Sequence, residues 1–287
     1  MGRIRLSVVL ATRNEGKNIG QCLSSIKGIA DEIVVLDEKS KDNTVELAKS
    51  FGAKVVSTEH SPIFHTTKQK ALELATGDWI LQLDADERVT PNLAKEIRRV
   101  IEMSDGEIDK YQKTLKNRGL FLRHQKIIKE RDGQIGKEGP YSGFFLPRKN
   151  YFLGKYLRYG GVYPDGVIRL VKKGRAHFPA KSVHEQILVD GKVGWLENDL
   201  IHMADPTFKR YLERNSYYIG LMVDEMEKEK LSKDIFQFIN YVILKPIWWF
   251  FLTQIRHKGI LDGVQGIIFS FFSALRFPRV YFRYLKR

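Results

Sequence analysis

Leu-Gln-Leu-Asp-Ala-Asp-Glu-Arg-Val, residues 81–89, is an apolar strand that runs into two acids one residue apart. In an extended chain the side chains at i and i+2 point to the same face. Asp84 and Asp86 are therefore expected to leave the strand's C-terminal end on one side, with only Ala85 between them. Like charges so close are costly away from water unless a cation sits between them. The pair is thus a candidate divalent-metal site beside a phosphate.

Upstream of this stretch, strand and helix patterns alternate. Residues 4–11 read as a buried strand, 19–29 as an amphipathic helix, 32–37 as a second strand and 44–51 as a short helix closed by Gly52. A third strand is expected at 54–58, a helix at 67–75 and a fourth strand at 79–84. Thr90-Pro91 supplies an N-cap and a first-turn proline for a helix to about Met103. Alternation at this spacing predicts an α/β domain with a mostly parallel sheet and helices on both faces. Ligands of such sheets bind at the carboxyl ends of the strands. Thr12–Glu15, Asp37–Asp42 and Asp84–Glu87 fall there.

After Gly106 the pattern changes. Residues 106–139 carry eight Lys/Arg between Lys110 and Arg131, interleaved with Leu and Ile, and read as an inserted basic helix. Residues 141–203 are rich in Gly and aromatics, and Asp190-Gly191 is expected to close a hairpin between 186–189 and 192–196. Residues 207–230 form a helix with Pro206 near its start. The apolar stretch 235–255 is interrupted by Lys245-Pro246, and 260–277 is broken by Gly263 and Gly266. Neither is an uninterrupted apolar run of about 20 residues, as a spanning helix requires. Ten Lys/Arg against two acids from Lys230 onward, with flanking aromatics, suggest helices lying in a membrane interface.

The net charge of +14 implies an anionic partner. A single cysteine, Cys22, excludes an internal disulfide. The N-terminal apolar run is too short for a signal peptide, so a cytoplasmic location is expected. Neither a Gly-x-Gly-x-x-Gly nor a P-loop motif follows any strand. A nucleotide held by acids and a metal fits better, and hard oxygen ligands favour Mg²⁺ or Mn²⁺.

Three segments carry a resemblance: Thr-Arg-Asn-Glu (12–15), Val-Val-Leu-Asp-Glu-Lys-Ser-Lys-Asp-Asn-Thr (34–44) and Ala-Thr-Gly-Asp-Trp-Ile-Leu-Gln-Leu-Asp-Ala-Asp-Glu-Arg (75–88). In order and spacing they resemble a family 2 glycosyltransferase. Pro-Arg-Lys-Asn-Tyr-Phe-Leu-Gly-Lys (147–155), Gly-Gly-Val-Tyr-Pro-Asp-Gly-Val-Ile-Arg-Leu (160–170), Val-His-Glu (183–185) and Lys-Gly-Ile-Leu-Asp-Gly-Val-Gln-Gly (258–266) are similar to the subgroup with lipopolysaccharide-core β-glucosyltransferases.

The resemblance implies a GT-A fold and an inverting, metal-dependent transfer from a nucleotide-sugar, most readily a UDP-sugar, to a lipid-linked or polysaccharide acceptor. It implies that Thr12, Asn14 and Glu15 line the nucleotide pocket, that Asp37 meets base or ribose, that Asp42 shapes its loop, and that Asp84, Ala85 and Asp86 form the metal and diphosphate motif. Glu38, Lys39 and Lys41 replace the small residues usual in that loop, which leaves base preference open. The implied divisions are 1–105, the nucleotide-sugar half; 106–140, the basic insert; 141–230, the acceptor half; and 231–287, C-terminal helices at the inner face of the cell membrane.

Direct displacement needs a carboxylate to take the acceptor's proton. Glu185 and Asp165 are the candidates. His184 could be a third metal ligand, and Lys68 and Arg88 could meet diphosphate. Arg169 could ion-pair or touch the acceptor. A sugar-phosphate nucleotidyltransferase would share the sheet, but its Gly-rich, Arg-containing first loop is missing from residues 11–16. A basic nucleic-acid-binding module would leave the acid-tipped strands unexplained, since carboxylates repel phosphates. No nucleic-acid partner is expected.

Overall fold

The computed structural model of the chain describes residues 3–179 and 186–287. His184 and Glu185 lie outside the described residues. The chain forms two compact units, Met1–Arg148 with Pro164–His202, and Lys149–Tyr163 with Met203–Arg287.

In the first unit the elements run β1 (Leu6–Thr12), α1 (Ile19–Ile26), β2 (Glu32–Asp37), α2 (Thr44–Ser50), β3 (Lys54–Ser57), α3 (Phe64–Leu74), β4 (Trp79–Leu83), β5 (Glu87–Val89) and α4 (Pro91–Ile101). They continue as α5 (Asp105–Thr114), α6 (Arg118–Asp132), β6 (Tyr141–Leu146), β7 (Arg148–Phe152), which runs into the second unit, and β8 (Lys155–Tyr156) there. The first unit resumes with β9 (Val167–Lys172), β10 (Ala176–His177), β11 (Leu188–Val189), β12 (Lys192–Trp195) and β13 (Leu200–Asp205), whose residues from Met203 onward belong to the second unit.

Seven strands make the central sheet in the order β12-β6-β9-β4-β1-β2-β3. Strands β4, β1, β2 and β3 are parallel neighbours, and β9 runs antiparallel between β4 and β6. Alternation along β1 divides the core. Leu6, Val8 and Leu10 pack with Leu23 and Ile26 of α1 and Ile97 of α4, whereas Val9 packs with Ala71 and Leu72 of α3. Both faces are covered, which is why β1 is buried along its whole length.

The basic segment read as an insert is part of this core. Its Lys and Arg side chains are mostly exposed, yet Phe121 and Ile128 of α6 are buried. Phe121 stacks on Trp195 at 4.5 Å, and Phe145 stacks on the same indole at 4.6 Å. Phe121→Ala is expected to destabilise the protein by about 3 to 5 kcal/mol, the usual loss for a buried aromatic. Denaturant unfolding checks this, and a near-neutral change would mean that α6 is peripheral.

The expected hairpin at Asp190-Gly191 is not one. β11 pairs antiparallel with β10, and β12 pairs in parallel with β6. Gly191 sits at φ 138°, where a Cβ would lie 2.4 Å from Ser142 Oγ and 2.5 Å from Pro140 O. The glycine serves a close crossing of β6, after which the flanking strands diverge. A turn dipeptide marks a change of direction, and the free edge of β6 decides where the chain goes next.

In the second unit, β7 and β8 form a hairpin with Tyr151 opposite Tyr156. Helix α7 (Phe208–Lys228) is capped by Thr207, whose side chain accepts from the Arg210 N–H. Phe152 and Leu157 pack with Tyr211 of this helix. Asp262, within the stretch 258–266, is buried, and its carboxylate accepts from the backbone N–H groups of Arg158 (3.0 Å) and Tyr159 (2.8 Å). That motif residue therefore anchors a loop.

Lys245-Pro246 does not break the apolar run. Helicity continues through α8 (Ile235–Ile239), a π segment Asn240–Leu244, α9 (Lys245–Phe251) and a second π segment Leu252–Arg256. Proline cannot donate to the i−4 carbonyl and clashes with it, and a wider turn relieves both. Helices α10 (Val264–Ala274) and α11 (Arg276–Leu285) follow.

Candidate active site

The loops after β1 and β2 are joined at the carboxyl edge of the sheet. The Asn14 N–H donates to Ser40 Oγ, the Lys41 N–H to Asn14 Oδ1, the Glu15 N–H to Thr44 Oγ1 (each 2.8 Å), and the Gly16 N–H to Asp42 Oδ2 at 2.9 Å. Asn14 takes a left-handed backbone, φ 55°, to make this exchange. Asp37 is 1% exposed. Its carboxylate accepts from Thr12 Oγ1 (3.0 Å), Ser40 N (2.8 Å) and Ser40 Oγ (2.6 Å). Thr12 is buried as well. Thr12 and Asp37 thus organise the rim from beneath, and Asn14, Glu15 and Asp42 lie along it. The Thr44 hydroxyl and the Gly16 and Thr44 N–H groups, led by the hydroxyl, hold the Asp42 carboxyl below the usual carboxylate range.

The acids after β4 are separated by a turn. The strand ends at Leu83, and the Glu87 N–H donates to Asp84 O at 2.9 Å. The i, i+2 geometry of an extended chain therefore does not apply, and the two carboxylates face different partners. Asp84 meets Lys68 Nζ at 2.5 Å and also pairs with the Arg169 guanidinium. Burial raises its pKa, but Arg169 and then Lys68 outweigh burial and hold it well below the usual range. Glu87, fully buried, takes Arg169 at 2.8 Å and Arg148 at 3.6 Å. Ala85 is buried, and its carbonyl accepts from Arg88 at 2.7 Å, so the Arg88 guanidinium ties the turn.

Asp86 faces His202, with Oδ2 3.6 Å from Nε2. Strand β13 brings the histidine there by pairing antiparallel with β5, His202 opposite Glu87. Burial raises the Asp86 carboxyl, and the His202 ring outweighs it, leaving the group below its ordinary value. Sequence reading missed His202, although an imidazole alone among Leu200, Ile201 and Met203 was a visible signal. It gave no role to Arg148, or to Glu87 within the strand-end cluster Asp84–Glu87. Among the described residues no group of three His, Cys, Asp or Glu converges.

Asp165 begins the approach to β9 with φ 38°, and Arg148 holds its Oδ2 at 2.9 Å. The next residue fixes this loop. The Gly166 N–H donates to His124 Nε2 of α6 at 2.9 Å, and a Cβ on Gly166 would fall 2.2 Å from the Trp195 ring. As an acceptor, His124 must be neutral. Burial lowers its pKa against the pull of Asp165. The unfolded chain therefore binds more protons near the ordinary histidine value of 6.5, and stability falls as pH drops through that value. His124→Gln keeps an acceptor without the titration. The fall in Tm between about pH 7 and pH 5.5, which bracket that value, should be shallower in the variant; equal slopes would refute this.

Residues 7–166 match the family described as glycosyl transferase family 2. The match spans more than half of the chain, and the chain belongs to that family. It is an enzyme, a glycosyltransferase of the class that uses nucleotide-sugar donors. An uncharacterized glycosyltransferase of Rickettsia conorii is 24% identical over 96% of this chain and 89% of its own length. Lipopolysaccharide core biosynthesis glycosyltransferase LpsC of Rhizobium meliloti is 23% identical over 96% and 92%. Among solved structures, glucosyl-3-phosphoglycerate synthase from Mycobacterium tuberculosis in complex with Mn²⁺ and UDP-glucose aligns with a TM-score of 0.27. It is 30% identical over 30% of this chain and 34% of that chain.

Proposed function

We propose that the enzyme inverts the anomeric centre as it moves a sugar from a nucleotide-sugar, UDP-sugars being the first to test, to a lipid-linked or envelope polysaccharide acceptor at the inner face of the cell membrane. The observation that carries this reading is the Asp86–His202 pair at 3.6 Å beside a second acid, Asp84, already neutralised by Lys68 and Arg169. One carboxylate oxygen and one imidazole nitrogen so placed would hold a divalent ion, and the mixed O and N set suits Mn²⁺ better than Mg²⁺. When bound, such an ion offsets charge on the leaving diphosphate as a Lewis acid. Asp84, Lys68, Glu87, Arg148 and Arg169 hold the turn that presents Asp86. The rim at Asn14, Glu15 and Asp42 receives the nucleoside, and Asp37 and Thr12 keep it in place. Asp165 takes the acceptor's proton.

The acceptor side rests on the second unit and on the name of the Rhizobium relative. Ile235, Ile239, Ile243, Ile247, Phe251 and Ile255 recur every four residues, and all are exposed. The π segments widen the turn beyond the α-helix's roughly 3.6 residues, so a four-residue row stays on one side. An apolar row flanked by Lys and Arg suits a membrane interface.

A thermal-shift screen of nucleotide-sugars with and without Mn²⁺, followed by flotation with vesicles, tests both halves. Ligand at a hundredfold excess over Kd stabilises by about 2.7 kcal/mol, so a metal-dependent shift with one donor is expected. Pyrophosphate release from a nucleoside triphosphate and a sugar phosphate would replace the transferase reading, and a chain that fails to float would remove the membrane.

A further inference from the structure

In the second unit, α7, α10 and α11 line a cavity of about 160 Å³ whose walls include Tyr211, Arg214, Asn215, Ser273 and Arg276. Arg214 is engaged, since its Nε donates to Asp205 at 3.0 Å. Arg276 differs. Its guanidinium lies over the rings of Trp249 (4.3 Å) and Phe277 (4.9 Å), and its Nε is buried with no hydrogen-bond partner. Among the described residues no carboxylate pairs with it. A third cation, Arg279, reaches the cavity wall by donating to Asn215 Oδ1 at 3.3 Å.

Ring stacking satisfies the faces of a guanidinium and leaves its in-plane N–H groups unmet. Those edges are the ones that a tetrahedral anion takes, in bidentate fashion. Three arginines with one carboxylate, Asp205, leave the cavity with an excess of positive charge, and burial lowers the Arg276 pKa with only Tyr211 opposing. A half-buried guanidinium with a buried, unmet Nε is destabilising by itself.

We propose that this cavity is a phosphate-group site, with Arg276 as the principal ligand and Asn215 at its wall. The phosphate is that of a lipid headgroup or of a soluble phosphate ester. The site belongs to the second unit.

The test uses the full chain with fluorotryptophan at Trp249, the ring lying on Arg276, so that NMR reports this cavity and is blind to phosphate bound elsewhere. Inorganic phosphate, phosphatidylcholine vesicles, and the same vesicles containing phosphatidic acid are added in turn. Wild type should respond to phosphate or to the phosphatidic acid vesicles, and to the neutral vesicles far less. Arg276→Gln and Asn215→Asp should each weaken the response by about tenfold or more, as expected for losing a charge-assisted bond. Asn215→Asp is isosteric and puts a negative charge on the cavity wall beside Arg279, where it repels an anion, so it remains informative if Arg276→Gln fails to fold. A response to the phosphatidic acid vesicles alone assigns the site to headgroups, and saturation by free phosphate assigns it to soluble esters. No response in wild type, or an equal response in Asn215→Asp, overturns the proposal and leaves Arg276 as a stacking cation only.

Discussion

Asp86→Ala is expected to lower kcat/KM by about two to three powers of ten while leaving the fold intact. The loss would follow from removing a proposed ligand of the divalent ion that would offset charge on the leaving diphosphate, a contribution of several kcal/mol. His202→Ala should fall in the same range, because the imidazole stands 3.6 Å from the same carboxylate. Both variants should need more Mn²⁺ for half-maximal rate than wild type. Asp84→Ala should behave differently. It strands Lys68, while Arg169 keeps Glu87, and breaking a buried ion pair by removing one partner destabilises by about 3 to 5 kcal/mol. Activity and Tm should therefore drop together in Asp84→Ala, and activity alone in Asp86→Ala. Steady-state kinetics across a Mn²⁺ titration, read beside thermal unfolding, separate the two acids. Wild-type turnover in Asp86→Ala would end the proposed assignment.

That contrast marks where sequence reading succeeded and where it stopped. Apart from β5, the strands and helices to residue 101 were legible because each buries a periodic face, as Leu6, Val8 and Leu10 do against α1. The clustering of strand-end acids followed from the topology. The different duties of Asp84 and Asp86 did not, because they depend on Arg169 and His202, which lie 85 and 116 positions further along the chain than those acids. Long-range pairing of this kind leaves no local pattern. Residues 106–140 misled for a related reason. Phe121 and Ile128 are seven apart in a helix whose other faces are charged, and only the far strand carrying Trp195 shows what they pack on. At Lys245-Pro246 an interruption was expected, but the π segment before it absorbs the proline and helicity continues.

Asp165→Asn is expected to lower kcat by about two to four powers of ten, the usual range for losing a general base, with donor affinity nearly unchanged. The substitution is well controlled. Asparagine tolerates the left-handed backbone at φ 38° as readily as aspartate does, and its amide oxygen still accepts from Arg148, which now meets Asp165 at 2.9 Å. Only the capacity to take a proton is lost. The rival carboxylate is Glu185, outside the described residues, so Glu185→Gln is the companion variant. If Asp165 is the base, Asp165→Asn loses turnover and Glu185→Gln keeps it; the reverse pattern assigns the proton to Glu185. Arg148→Lys sharpens the comparison. Arg148 bridges Asp165 and Glu87, and lysine cannot reproduce that planar fork. Arg148→Lys should therefore lower kcat more than KM, by less than Asp165→Asn does. A change confined to KM would instead place Arg148 on a substrate.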